Sequence, residues 1–152
     1  MANTGEVDKL ALEKQVCFAL AVANRSVLGI YRPLLEPLGL THPQYLVMLA
    51  LWEAEPRSVK EIGAALQLDS ATLSPLLKRL QAIGYVTRGR DPGDERSTVV
   101  GLTDAGRGLR EQALAIPDAV VSRLGVGYPM LERLHAVLTE VNAAATSAGR
   151  SV

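Results

Sequence analysis

One thiol, two imidazoles and a group of arginines carry most of the chemistry this sequence can offer. The thiol is Cys17, the only cysteine among 152 residues. A thiolate is a nucleophile and a redox centre, but it needs neighbours that favour the ionised form. Its flanks, Val16, Phe18, Ala19 and Leu20, are apolar. Burial raises a thiol pKa, so on its own Cys17 reads as a buried, inert thiol. His42 and His135 stand far apart, without metal-ligand spacing, and no His-Asx pair is discernible to serve Cys17. No Gly-rich phosphate loop is present. The expectation is therefore no enzyme, no metal and no cofactor. A single cysteine also excludes an internal disulfide. Residues 1–10 carry acids and no basic stretch backed by a hydrophobic block, and no run approaches the roughly 18 apolar residues of a membrane span. The expected location is the cytoplasm, with no membrane partner.

The second chemistry is cationic and local. Sixteen Lys+Arg balance sixteen Asp+Glu, which excludes an all-over polyanion binder. Between Arg57 and Arg110, however, nine basic residues face six acidic ones, +3, leaving seven against ten, −3, elsewhere. Phosphate recognition needs only a local patch. Within this stretch Ser70, Thr72, Ser74, Lys78 and Arg79 combine hydroxyls with cations. Small hydroxyl side chains let a helix approach a groove closely and bond phosphates or base edges. Further on, Arg88, Arg90 and Arg96 alternate with Asp91, Asp94 and Glu95. An arginine held by a neighbouring carboxylate suits a narrow, negative minor groove. The plainer alternatives are a solvated helix face and a solvated charged turn.

The elements that must position these groups are mostly helical. Apolar residues recur at three- and four-residue steps from Val7 to Ile30, and Pro33, Pro37 and Gly39 punctuate the end. Thr41 with Gln44 is a capping box. The segment after it, from Tyr45 to Trp52, is apolar nearly all round and predicts a buried helix. Ser58 and Glu61 form another box, opening a short helix with Ile62 and Leu66 inward. Asp69 caps a third helix, with Leu73, Leu76, Leu77, Leu80 and Ile83 inward and Gly84 as its stop. Pro75 inside that helix costs about 3 kcal/mol, and composition gives no account of it. Residues 85–88 and 97–100 are rich in β-branched side chains and predict a hairpin with a long tip at 89–94. Thr103 caps a helix to about Ala115, Pro117 and Gly125–Pro129 interrupt, and a last amphipathic helix covers about Met130–Ala145. Helix, turn, helix, hairpin is the order of a winged helix-turn-helix, a mainly α fold with a small β wing. The expected organisation is one domain, with a reading lobe at 41–102 and flanking helices at 7–40 and 103–146.

Several motifs sharpen this. Asp94-Glu95-Arg96, Leu102-Thr103 and Gly106 resemble the wing signature of the MarR family of dimeric regulators. Residues 15–18 (QVCF), 31–35 (YRPLL), 43–48 (PQYLVM) and 68–80 (LDSATLSPLLKRL) resemble its organic hydroperoxide-responsive branch, Pro75 included. The likeness runs over residues 8–145.

The resemblance implies a homodimer joined through the flanking helices, with recognition helices in successive major grooves of operator DNA. Wings would reach the minor grooves through Arg96. It also implies that Cys17 is the peroxide sensor, oxidised by an organic hydroperoxide so that the dimer leaves DNA. Family members support the thiolate with a tyrosine at Tyr31 and another where this chain has His42. A neutral imidazole donates one hydrogen bond, and a protonated one would favour the thiolate more and make the sensor pH-dependent. Tyr31 lies 14 residues after Cys17, about 21 Å along a straight helix, so either the helix breaks or Tyr31 comes from the other subunit. The second is favoured. With no second cysteine, a low-molecular-weight thiol is the expected resolving partner, and Phe18, Leu20, Val22, Tyr45 and Met48 the expected apolar lining. Two alternatives stand beside this reading. One is a regulator of the same fold answering a non-covalent ligand, and the other a protein-binding winged-helix adaptor.

Overall fold

Residues 8–149 are described in the computed structural model of the chain, and they fall into two compact units dividing between Ala113 and Leu114. Val7, the first residue of the expected helical pattern, lies outside them.

In the first unit a 3₁₀ turn, Leu12–Lys14, precedes α1, Val16–Leu35. The helix runs through Pro33 instead of stopping before it. Pro33 lies two residues from the end, so only the Gly29 carbonyl loses its helical partner, and Gly29 has no side chain to crowd the ring. After a second 3₁₀ turn, Glu36–Leu38, Thr41 caps α2, His42–Glu53. The box is reciprocal. Thr41 Oγ1 accepts from the Gln44 amide at 3.4 Å, and Gln44 Oε1 accepts from the Thr41 amide at 3.0 Å. Tyr45, Val47, Met48, Ala50 and Leu51 are buried, but Leu49 is 40% exposed, so α2 keeps one outward face.

A two-residue strand β1, Arg57–Ser58, leads into α3, Val59–Leu66, and α4 spans Ser70–Ile83. Ser58 and Asp69 cap these helices as expected, and Gly84 ends α4 with φ at +98°. Ile62, Leu73, Leu77 and Leu80 are sealed from solvent, whereas Ile83, expected inside, is 46% exposed. At the last turn of α4 no further element closes over that position within the helix-turn-helix. The tight turn between α3 and α4 depends on Gly63, because a Cβ there would stand 2.8 Å from the Leu68 carbonyl oxygen.

The hairpin is longer than its composition suggests. β2, Val86–Asp91, and β3, Asp94–Leu102, pair from Val86↔Leu102 to Asp91↔Asp94. Only Pro92 and Gly93 turn, with an irregularity at Arg90/Asp91. Backbone pairing does not require β-branched side chains, so charged and glycine residues continue the ladder. β1 adds to β3, giving the antiparallel order β1-β3-β2. α5, Asp104–Ala113, begins at Thr103, whose Oγ1 accepts from the Gly106 amide at 3.0 Å.

The second unit holds α6, Ile116–Leu124, with Pro117 in its first turn, and α7, Tyr128–Gly149. α7 has no buried residue along its described length.

Candidate functional site

The hairpin is fixed to the helices by bonds that spare its outer residues. Tyr85 Oη donates to the Leu38 carbonyl at 2.8 Å, and Thr103 Oγ1 donates to the Gly84 carbonyl at 2.6 Å. Glu55 joins the root of β3 to α5. Its carboxylate accepts from the Leu102 amide at 2.5 Å and from Arg107 Nε at 2.6 Å. Desolvation works against ionisation of Glu55, but those two donors outweigh it and hold the carboxyl below its ordinary value. Trp52 Nε1 donates to the Gly106 carbonyl at 2.9 Å. A Cβ on Gly106 would collide with the Tyr85 carbonyl oxygen, so α5 reaches the hairpin root only with glycine there.

So anchored, α3, α4 and the hairpin enclose an open cleft of about 940 Å³. Ser70 and Ser74 of α4 line it together with Arg88, Asp94 and Arg96 of the hairpin. These were expected on one surface, and the fold brings them together. Thr72 and Lys78 are exposed on α4 and Arg90 on β2, but none of the three lines the cleft. Arg79 turns to a different cleft, described below. Lys60 of α3, with Ser97 and Thr98 of β3, also lines the first cleft and was not singled out from sequence. Lys60 had been counted in the basic balance, and its place in the first turn after the Ser58 cap was the available signal.

The tip carboxylates bond backbone, not guanidinium. Asp94 Oδ1 accepts from the Arg96 amide at 3.0 Å, and Asp91 Oδ1 accepts from the Gly93 amide at 2.9 Å. Asp94 therefore shapes the strand that carries Arg96 and leaves the side chain free. Among the described residues, Arg88, Arg90, Arg96, Lys60 and Lys78 make no ion pair. Arg88 Nε is buried without a hydrogen-bond partner, a donor already stripped of water beside the cleft. Asp69 is committed to its cap, its carboxyl held low by the Thr72 amide and then by the Thr72 hydroxyl.

Cys17 is the second residue of α1 and is exposed, not buried as its neighbours suggested. Phe18, Leu20 and Val22 are exposed with it, while Tyr45 and Met48 are buried in α2. These five residues do not form one wall around the thiol within the chain. α1 is unbroken from Cys17 to Tyr31, so the two are separated by about 21 Å of helix axis. The sharp break that would bring them together is absent. Tyr31 instead meets His42, their rings 4.8 Å apart and inclined at 67°, with Tyr45 at 6.1 Å from Tyr31 and 6.2 Å from His42. Desolvation raises the Tyr31 phenol and lowers the His42 imidazole, so burial favours the neutral imidazole, which offers one ring N–H. Burial, then the nearby Tyr31, raises the Tyr45 phenol.

His42 also borders a cleft of about 580 Å³ between α1, α2 and α4, lined by Arg32, Arg79, Leu28 and Ile83 among others. His135 lines a smaller hollow with Val121 and Tyr128. Among the described residues, no group of three His, Cys, Asp or Glu comes together to hold a metal, and no helix is long and apolar enough to cross a membrane.

Known proteins resemble this chain in sequence and in fold. The MarR family model matches residues 40–98. The chain is 46% identical over 151 residues to the HTH-type transcriptional regulator TtmR of Methylorubrum extorquens, covering 97% of this chain and 77% of that protein. It is also 46% identical over 114 residues to the organic hydroperoxide resistance transcriptional regulator of Bacillus subtilis, covering 75% and 78%. Among solved structures, reduced AbfR bound to DNA superposes with a TM-score of 0.78 at 34% identity, covering 90% of this chain and 93% of that one.

Proposed function

The chain belongs to the MarR family, and from that premise we propose that it is a cytoplasmic, redox-sensing repressor of transcription. A homodimer binds operator DNA and leaves it when an organic hydroperoxide oxidises Cys17. The observation that carries the reading is the shared cleft of α4 and the hairpin, where Ser70, Ser74, Arg88 and Arg96 stand together, the guanidiniums without an acidic partner among the described residues. That surface matches a groove edge, with α4 in the major groove and Arg96 reaching the minor groove. Lys60 and Arg88 serve phosphates, and Thr72, Lys78 and Arg90 are peripheral DNA contacts, whereas Arg79, expected among them, faces the other cleft. In this reading residues 41–102 are the DNA-binding lobe, and helices within 7–40 and 103–146 supply the dimer contacts.

The sensor is built across the dimer. An unbroken α1 keeps Cys17 away from its own Tyr31 and His42, so these donors serve Cys17 of the partner subunit. The hydroperoxide's outer oxygen is attacked by the thiolate, the O–O bond breaks, and the alcohol leaves after taking a proton. Cys17 becomes a sulfenic acid, and a low-molecular-weight thiol then condenses with it, giving a mixed disulfide and water. The protein is a regulator, not a catalyst, since each oxidation is one switching event.

The test is a gel shift on the protein's own promoter, reduced and treated with cumene hydroperoxide, for wild type and Cys17→Ser. Release of wild type alone is expected. A Cys17→Ser protein that still lets go would transfer the signal to a non-covalent ligand.

A further inference from the structure

We propose that Tyr85 is a positioning residue that passes the state of the sensor to the hairpin, through the bond from its phenol to the Leu38 carbonyl. The inference rests on the redox reading above, because it names the route by which that switch reaches the DNA-reading surface. Tyr31 and His42, whose rings meet at 4.8 Å, stand on either side of the turn that joins α1 to α2. Leu38 lies inside that turn. The Gly39 amide donates to the Glu36 carbonyl at 2.9 Å, and the Leu40 amide to the Leu35 carbonyl at 3.3 Å. Leu35, Leu38 and Leu40 are all buried. A turn closed by its own backbone bonds and packed on the core transmits a displacement instead of absorbing it. A shift of the Tyr31–His42 pair therefore carries the Leu38 carbonyl with it.

The phenol on that carbonyl belongs to the residue at the foot of the hairpin. Tyr85 follows the Gly84 stop of α4 and precedes Val86, the first residue of β2. Its amide donates to the Leu80 carbonyl at 3.0 Å, and its own carbonyl accepts from the Thr103 amide at 3.1 Å. Its Oη donates to Leu38 at 2.8 Å. One residue thus joins the last turn of α4, the start of α5 and the turn beside the seam. Trp52 and Glu55, which hold α5 and the root of β3, arrive from the other end of α2, about 15 Å of helix from His42. Tyr85 Oη reaches the root from the seam side. The ladder from Val86 to Asp91 is about 17 Å long, so a tilt of about 10° at the root moves the end near Arg96 by about 3 Å. That is a hydrogen-bond length. While Cys17 of the partner subunit is reduced the bond supports the hairpin, and once oxidation shifts the seam the same bond draws the hairpin off DNA.

The experiment measures affinity for a duplex from the protein's own promoter by fluorescence anisotropy, before and after treatment with cumene hydroperoxide and free cysteine. Wild type is set against Tyr85→Phe, which keeps the ring and removes the hydroxyl. Reduced Tyr85→Phe should bind about threefold more weakly than reduced wild type, having lost a support of the hairpin. Oxidised Tyr85→Phe should bind about threefold more tightly than oxidised wild type, having lost the pull. The ratio between the two states then shrinks about tenfold, the scale of one hydrogen bond in each of two subunits. Shifts of opposite sign are what an ordinary anchor does not produce. Glu55→Gln, which loosens the root from the far end of α2, should weaken both states alike. An unchanged ratio in Tyr85→Phe, with or without a common loss, overturns the proposal, as does an equal shrinkage in Glu55→Gln. Hydrogen exchange on the reduced, DNA-free protein addresses the tie alone. Tyr85→Phe should speed exchange at residues 36–41 and 85–88 together, and acceleration at one segment or at neither overturns the link. Release of Cys17→Ser by cumene hydroperoxide would sink the redox reading instead, with the exchange result still standing.

Discussion

α2 and α7 are both rich in Leu, Val and Met, yet their surroundings are opposite. α2 is 12 residues long and buries six of them, whereas α7 is 22 long and buries none. The exposed residues of α7 form a pattern. Met130, Leu134, Val137, Leu138 and Val141 recur at helical spacing, 38–55% exposed. The first half of α1 is alike, with Val16, Phe18, Leu20 and Val22 all open. The difference separates two kinds of stability. The helix-turn-helix and hairpin close their core within one chain and turn charge outward. The flanking helices keep apolar faces that a soluble monomer would not leave open, which a second copy of the chain covers in the proposed dimer.

The most forceful way to break this comparison is a charge on the open face. Val137→Glu places a carboxylate in the proposed interface twice, once from each copy. It should weaken association by about 3 kcal/mol or more, roughly a hundredfold, and abolish operator binding with it. Sedimentation would read a monomer with a normal circular dichroism spectrum. A variant that stays dimeric would move the interface elsewhere and leave the exposed stripe of α7 unexplained.

A smaller effect sharpens the contrast by making the same deletion in both regions of the monomeric variant. Leu77→Ala empties a site that is 1% exposed and should cost about 2–5 kcal/mol in urea unfolding. Leu134→Ala removes a side chain already 49% exposed and should change monomer stability by no more than about 0.5 kcal/mol. Similar losses at both positions would mean that α7 is covered by its own chain.

How much of this could be read from the residues follows the same division. The caps at Thr41, Ser58, Asp69 and Thr103 were legible because each is a local bond between a side chain and an amide three residues on. The Leu73, Leu77 and Leu80 stripe was legible because one helix face meets one core. β1 was not, since two residues show no periodicity and the strand exists only because β3 pairs with it. Glu55 was missed for a similar reason, its partners Leu102 and Arg107 being remote in sequence. Periodicity placed Lys78 and Arg79 together beside the hydroxyl face. One residue's turn on α4 is enough to send Arg79 to the cleft shared with His42. Cys17 was misjudged as buried because an apolar neighbourhood in sequence does not say which chain will cover it.

The finest distinction is between the α1–α2 seam and the hairpin root, with a pH window for each. His42, in the seam with Tyr31, has its pKa lowered from 6.5 by desolvation, so folding favours its neutral form. The unfolded chain then binds more protons, and stability falls as pH drops from 6.5 toward the folded value, with no further loss below it. Glu55, at the hairpin root, has its pKa lowered from 4.5 because the Leu102 amide and Arg107 outweigh desolvation. Its contribution is complete above 4.5 and is lost as pH falls through the folded value. Both groups weaken the fold in acid, but in successive steps. His42→Gln should flatten the stability profile just below pH 6.5 and leave the lower step intact. Glu55→Gln should do the reverse, with a small amplitude because Arg107 is half exposed and solvent screens the pair. Urea midpoints taken from pH 7 to 3.5 would resolve the two steps. If either variant removed both, the seam and the hairpin root would be one titrating unit.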